Sequence, residues 1–189
     1  MEIINMQKNK KDKGNRGFTL IEILVSIGII AIISVLIAQS FFSTTRSNTK
    51  AELLKDIKQN GDYAIEIMGR MIRNARDVSS ACPTAGSMAD SLVLVNADGG
   101  TTTFGCYEDV TVTRIASTSA SMGTIENLTG NTVSTGDTCL TSTLQFWCSR
   151  PAYSSPIVTI FFTLSQPGAP PDQFQKGETS YQTTVVMRN

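Results

Sequence analysis

Residues 18–42 read FTLIEILVSIGIIAIISVLIAQSFF, a predominantly apolar run near the start of a chain of 189 residues. Between residues 18 and 38 the one ionisable side chain is that of Glu22. A helix of these 21 residues, rising about 1.5 Å per residue, would span the roughly 30 Å hydrocarbon core of a bilayer. Because lipid offers no partner to backbone hydrogen-bonding groups, the run is predicted to be a membrane-spanning helix.

The charges on the two sides of this run differ in sign. Residues 1–17 hold five basic and two acidic side chains, whereas residues 78–189 hold four basic and eight acidic ones. The basic side chains of the leader are Lys8, Lys10, Lys11, Lys13 and Arg16. A basic flank marks the cytoplasmic end of a membrane helix, so we expect the N terminus inside and the residues after the run outside. The net charge of zero gives no general reason to expect a nucleic-acid partner.

Three interpretations of the apolar run compete. A secretory signal peptide would have a shorter apolar region followed by a small-x-small cleavage site, which residues 38–40 (Ala-Gln-Ser) match poorly. A plain membrane anchor accounts for the length and the basic flank but not for Glu22. A carboxylate inside a bilayer costs about 2.5–3.5 kcal/mol on insertion scales, and such groups usually have a function. The third interpretation therefore gives Glu22 a task.

Residues 16–22, Arg-Gly-Phe-Thr-Leu-Ile-Glu, resemble the cleavage and methylation motif of type IV prepilins and type II secretion pseudopilins. The resemblance implies that a membrane aspartyl peptidase cuts after Gly17 on the cytoplasmic face and that the same enzyme N-methylates Phe18. It also implies that the Glu22 carboxylate meets the N-terminal amine of a neighbouring subunit. A buried carboxylate and a buried amine each penalise the absence of the other, so such a pair would set the register of subunits in a fibre.

The resemblance also implies partners and a location. The partners are the prepilin peptidase and methylase, other pilin or pseudopilin subunits in a helical fibre, and an assembly platform in the inner membrane. The chain would cross the inner membrane once before it enters a pilus or pseudopilus. Many major pilins have a helix-bending proline near residue 22 of the mature chain, where this chain has Gln39. This difference favours a minor pilin or a pseudopilin.

Residues 43–77 are predicted to continue the helix with one apolar face. They contain no proline, and apolar residues recur in steps of three and four, as on an amphipathic helix. The apolar residues are Leu54, Ile57, Ala64, Ile67, Met68, Met71, Ile72 and Ala75. Arg70, Arg73 and Arg76 could form a DNA-binding row. Because no aromatic platform accompanies them and the head that follows is acidic, nucleic acid is not an expected partner.

From Val78 onward Ser, Thr and Gly dominate, and short apolar segments alternate with turns. Strands are predicted at residues 91–96, 101–108, 109–117, 144–148, 157–165 and 181–187, with loops at 117–141 and 166–176. The meander order favours an antiparallel sheet, and the fold class is α+β with the helix packed on that sheet. In outline, the head resembles J-type pseudopilins and PilW-like minor pilins.

The chain is thus expected to comprise four segments. These are a basic leader (1–17), a membrane and fibre-core helix (18–42), its amphipathic continuation (43–77) and an extracytoplasmic β-rich head (78–189).

All four cysteines, Cys82, Cys106, Cys139 and Cys148, follow the membrane segment. An oxidising compartment favours disulfides, and zinc is the alternative. Disulfides are favoured because no two of these cysteines have the spacing of a zinc knuckle and the chain has no histidine. Of the three possible pairings, we expect Cys82–Cys106 and Cys139–Cys148, which join cysteines that are neighbours along the chain.

The absence of histidine excludes Ser-His-Asp and Cys-His nucleophile systems. No cluster of carboxylates or lysines suggests catalysis, so we expect neither an enzyme nor a bound cofactor or metal. The favoured function is a structural fibre subunit. The alternative is a binding module at a pilus tip, an adhesin or DNA-uptake receptor, that would use the loop at residues 117–141.

Overall fold

The computed structural model describes residues 17–109, 112–120, 123–168 and 176–188. Residues 1–16 of the predicted leader (1–17), Val110 and Thr111 of the third predicted strand and most of the proline-containing loop (169–175) lie outside the described residues. The elements are α1 (Leu20–Asn74), β1 (Asp77–Val78), β2 (Ser87–Ala89), β3 (Leu92–Val95), β4 (Thr101–Asp109), β5 (Val112–Ser119), β6 (Ile125–Asn127), a 3-10 turn (Cys139–Thr141), β7 (Gln145–Ser149), β8 (Ile157–Ser165) and β9 (Glu178–Val186).

The helix α1 runs through 55 residues without a break, as the absence of proline predicts. By length and composition, it is the one helix among the described residues that could cross a membrane. The chain divides into two compact units, residues 1–44 and 45–189. In the first unit, every described residue is exposed, including the whole apolar run up to Phe42. Within this unit, the apolar side chains of the helix therefore have no core to join.

The second unit contains two antiparallel sheets rather than the single sheet expected. One sheet has the order β1-β3-β4-β5-β6 and the other has the order β2-β7-β8-β9. The strands do not follow one meander: β7 pairs with the short strand β2 (Met88 opposite Trp147) and with β8, and it pairs with no strand of the first sheet. The predicted α+β class, with a pilin-like long helix packed on antiparallel strands, is confirmed.

Most predicted strands are present with shifted ends. The third predicted strand is β5, and the closing strand β9 begins at Glu178, three residues before the predicted start. The predicted loop at residues 117–141 contains the short edge strand β6 and the 3-10 turn. Strand β6 was not predicted because its three residues, Ile-Glu-Asn, are all exposed and carry no periodic apolar pattern.

One core joins the second part of α1 to both sheets. Ile57, Ala64, Met68 and Ile72 are fully buried on one face of the helix. They belong to the same cluster as Phe104 of the first sheet and further residues of the second, namely Phe146, Val158, Ile160 and Leu164. This confirms the amphipathic interpretation of the helix. Leu54 was wrongly placed on the apolar face: it is exposed, and Leu53 packs on the core in its place.

The helix and β9 are in close contact at Gly61. The ring of Tyr181 occupies the space that a Cβ atom on Gly61 would need. The Tyr181 hydroxyl donates a hydrogen bond to the carbonyl oxygen of Ile57 at 3.1 Å, and its ring stacks on Phe162 with centroids 5.0 Å apart. Burial, with a smaller effect from the charge of Asp62, raises the pKa of Tyr181, which keeps the hydroxyl protonated as a donor.

We therefore expect Gly61→Ala to destabilise the protein by about 1–3 kcal/mol, the usual cost of forcing an extra methyl group into a packed site. This loss should appear despite the roughly 1 kcal/mol that alanine gains over glycine inside a helix. The measurement is denaturant unfolding of the full chain in detergent, followed by fluorescence of Trp147, the one tryptophan in the chain. Gly69→Ala is the matched control, because the nearest atom to a Cβ there is 3.6 Å away. Equal effects of the two substitutions would contradict the close contact at Gly61.

Candidate functional site: the start of the helix

The predicted cleavage site lies just before α1. Gly17, Phe18 and Thr19 have no regular secondary structure, and all three are exposed. The helix begins at Leu20. The peptide bond between Gly17 and Phe18 is therefore non-helical and open to solvent. A peptidase needs both properties, because it binds its substrate as an extended chain.

Thr19 and Glu22 cap the helix. The Thr19 N–H and hydroxyl donate hydrogen bonds to Oε2 of Glu22 at 2.8 and 2.9 Å. In return, the Glu22 N–H donates to the Thr19 hydroxyl oxygen at 3.3 Å. This reciprocal arrangement is a capping box, in which a threonine and a glutamate three residues later satisfy backbone donors at a helix start. The Thr-x-x-Glu spacing was visible in the sequence but was not interpreted as a cap.

The capping box leaves part of the Glu22 carboxylate available. Both hydrogen bonds that the carboxylate accepts end on Oε2, so among the described residues its Oε1 has no recorded partner. The carboxylate is thus held at the start of the helix through one of its two oxygens. A cation from a neighbouring chain could bind there without displacing the cap.

The four cysteines form two disulfides. Cys82 pairs with Cys148 with Cα atoms 4.9 Å apart, and Cys106 pairs with Cys139 at 5.5 Å. The prediction of disulfides in preference to zinc is confirmed. The described residues also contain no group of three or more His, Cys, Asp or Glu that could hold a metal.

The predicted pairing, Cys82–Cys106 and Cys139–Cys148, is wrong. It joined cysteines that are neighbours along the chain, whereas the β2–β7 pairing places Ser87 opposite Cys148 and brings the preceding segment to β7. Cys139 instead returns to the end of β4, where its N–H donates to the Glu108 carboxylate at 3.3 Å. Its partner Cys106 lies on that strand.

Comparison with known families gives one match. The prokaryotic N-terminal methylation motif matches residues 12–38, a range that includes the Gly17–Phe18 bond, the capping box and most of the apolar run. The chain therefore carries the prepilin-type signature. No curated protein and no solved structure matches the chain.

The class of protein follows from the signature together with the fold. A prepilin-type motif, a long apolar helix and an antiparallel β head support a type IV pilin-like or pseudopilin subunit. Proteins with this motif are structural and not enzymatic, and the motif implies processing by a prepilin peptidase and assembly with other pilins. Membrane anchoring follows from the motif together with the apolar helix.

Proposed function

We propose that the protein is a minor pilin or pseudopilin that is cleaved after Gly17, N-methylated at Phe18 and assembled into a fibre through α1. The observation that carries the proposal is the position of the matched motif. It spans an exposed, non-helical Gly17–Phe18 bond followed directly by an apolar helix whose residues are all exposed up to Phe42.

The surface of α1 supports both stages of this function. Between Leu20 and Phe42 every residue is exposed, and most of them are apolar. Such a surface needs either lipid or other apolar helices around it. Insertion in the inner membrane, with the N terminus in the cytoplasm and the head outside, would cover the surface first. Packing against the helices of other subunits, delivered by an assembly platform, would cover it in the fibre.

The position of Gln39 supports a minor subunit. At this residue, where many major pilins have a helix-bending proline, α1 continues without a break and the backbone keeps its helical form. The head also carries two disulfides and two sheets, which share one hydrophobic core with the second part of α1.

The absence of a side chain at Gly17 is explained by the peptidase and not by the fold. No described atom lies within 4 Å of a Cβ built on Gly17, so within the described residues a larger side chain meets no obstacle. The demand for glycine would then come from the narrow cleft in which a protease holds an extended backbone.

The test is the mass of the N-terminal peptide of the protein purified from cells that contain a prepilin peptidase. We expect the chain to begin at Phe18 with one added N-methyl group. Gly17→Leu should leave a membrane-inserted chain that keeps its leader, because the substitution changes the cleavage site and not the apolar run. Ala38→Leu, which fills the position that a signal peptidase would read, is the matched control and should be processed normally. A mature N terminus near Phe41 or an uncut wild-type chain would contradict the proposal.

A further inference from the structure

Four arginines from three parts of the sequence lie on the chain near the C-terminal end of α1, and the guanidinium of one of them, Arg73, lies beside Gly69 of the last turns. The Arg188 N–H donates to the carbonyl oxygen of Arg73 at 3.3 Å, and the Arg76 N–H donates to that of Val95 at 2.7 Å. Arg150 reaches the same place, because its guanidinium donates to the carboxylate of Asp77 just after the helix. We name Arg73, Arg76, Arg150 and Arg188 the arginine face.

The arginine face carries excess positive charge. Asp77 forms an ion pair with Arg150, and the hydrogen bond from Arg150 lowers the pKa of that carboxyl. Arg73, Arg76 and Arg188 are exposed, and none of them forms an ion pair within the described residues. Attraction to the negative end of the helix explains basic residues in its last turn. It does not explain Arg150 and Arg188, which come from strand ends.

An exposed aromatic ring projects beside these charges. Tyr153 lies in the turn between β7 and β8 and is fully exposed, with a left-handed backbone (φ 61°) that is uncommon for a tyrosine. Arg150 directly precedes this turn. At its other end, the carbonyl oxygen of Pro156 accepts a hydrogen bond from Met187 at 3.1 Å, which places the turn next to Arg188. A strained residue with an unburied ring suggests a binding role and not a packing role.

In the sequence, two features argued against a nucleic-acid partner, and the fold removes the first of them. The row of helix arginines had no aromatic platform in the linear sequence, but the fold supplies Tyr153 together with two more arginines. Guanidinium groups bind phosphate with two hydrogen bonds each. An exposed aromatic ring stacks on unpaired bases regardless of their identity, and this combination is typical of surfaces that bind single strands.

The other feature was the acidic head. The acidic side chains of the head, however, are not evenly distributed around the arginine face. The carboxylates of Glu108 and Asp109 lie at the end of β4 that is remote from Arg76, since β4 begins beside β3 at the pairing of Val95 with Thr101. Asp98 lies nearer and accepts the N–H of Gly100 at 2.9 Å; it keeps its negative charge, but it is one carboxylate against three exposed arginines, Arg73, Arg76 and Arg188. The arginine face therefore stays basic although the head as a whole is acidic.

We propose that the arginine face binds single-stranded nucleic acid, with the arginines on the phosphates and Tyr153 stacked on a base. This inference goes beyond the proposed assembly function and does not depend on it. The test uses the full chain in non-ionic detergent and a fluorescent thymidine oligonucleotide of about 15 nucleotides, with binding followed by anisotropy. Each phosphate contact to a single strand should add about 0.7 to the slope of log affinity against log salt concentration.

Two variants separate the parts of the site. Arg73→Gln combined with Arg188→Gln should lower the salt slope by about 1.4, for two lost phosphate contacts. Tyr153→Ala should weaken binding by about 5- to 150-fold with little change of the salt slope, since stacking involves no counterion release. Lys55→Gln with Lys58→Gln is the matched control: it removes the same charge from two exposed lysines on the helix and should have little effect.

Because the basic leader also attracts phosphate, the site is mapped directly with a bromouracil-substituted oligonucleotide. Photocrosslinking followed by peptide mapping should place the crosslink in the peptide that contains Tyr153. Crosslinks confined to the leader would overturn the proposal, and so would equal effects of the arginine and lysine variants. Full competition by heparin together with normal binding by Tyr153→Ala would show a general surface for acidic polymers, which would also overturn it.

Discussion

Replacing Cys82 and Cys148 together by alanine is expected to lower the free energy of unfolding by about 4 kcal/mol. The two cysteines are 66 residues apart in the sequence, and closing a loop of that length removes much of the conformational entropy of the unfolded chain. The substitution also removes the covalent link between β7 and the segment before β2. The pairing of β2 with β7 forms one edge of the second sheet. Denaturant unfolding of the full chain in detergent, followed by Trp147 fluorescence, measures the loss.

The second disulfide provides a matched control. Cys106 and Cys139 are separated by 33 residues, so on the same loop-entropy argument their removal should cost about 0.6 kcal/mol less. Peptide mapping of the oxidised protein without reduction should recover Cys82 linked to Cys148. Recovery of Cys82 linked to Cys106, or an unchanged stability after the Cys82 and Cys148 replacement, would contradict the pairing described above.

The features that were predicted correctly are those with a strong local pattern in the sequence. The apolar run with its single charge at Glu22 predicted a long helix. The three- and four-residue steps from Ile57 to Ile72 predicted which face of that helix is buried. Strand β8 was predicted with its observed ends because its nine residues are mostly apolar. In each case neighbouring residues report the same environment, so a short window of sequence is informative.

The incorrect predictions concern contacts between distant segments. Strand β2 has three residues, too few for a periodic pattern, and yet its pairing with β7 brings the segment that contains Cys82 to Cys148. The contact of Gly61 with Tyr181 joins residues 120 positions apart, and an isolated glycine in a helical pattern does not reveal its partner. The arginine face was missed for the same reason, since Arg73 and Arg188 meet only after the chain has folded.

The motif itself was recognised, but one of its roles was not. The functional interpretation of Glu22 concerned a neighbouring subunit, whereas the structure shows that Glu22 also caps its own helix. A substitution that removes the side chain would therefore lose two interactions together. This overlap determines which variant can test the assembly role alone.

Glu22→Gln is expected to abolish incorporation into fibres while leaving the helix cap and membrane insertion intact. Glutamine serves in a capping box as glutamate does, because its amide oxygen can accept the two hydrogen bonds from Thr19. A neutral side chain inserts into lipid at least as easily as a carboxylate. The negative charge that would pair with the Phe18 amine of a neighbouring subunit is lost, and methylation leaves that amine cationic.

The expected loss is large because the unpaired partner would remain buried. An amine left without its carboxylate in the apolar interior of a fibre costs about 3–5 kcal/mol per contact, which corresponds to a loss of more than a hundredfold in association. The measurement compares the amount of protein in sheared fibres and in membranes for the wild type and the variant. Cleavage after Gly17 should be unaffected, because the scissile bond lies outside the helix.

Thr19→Ala is the matched control for the cap. It removes the hydroxyl that Glu22 contacts and costs about 0.5–2 kcal/mol of helix stability, but it keeps the charge, so fibres should still contain the protein.

Normal incorporation of Glu22→Gln would exclude a charge pair for an interior subunit. A subunit at the very tip has no neighbour ahead of it to pair with, so its Glu22 would be dispensable for that reason alone. Crosslinking from Phe18 separates the two cases, because an interior subunit forms crosslinks to neighbours on both sides and a tip subunit on one side.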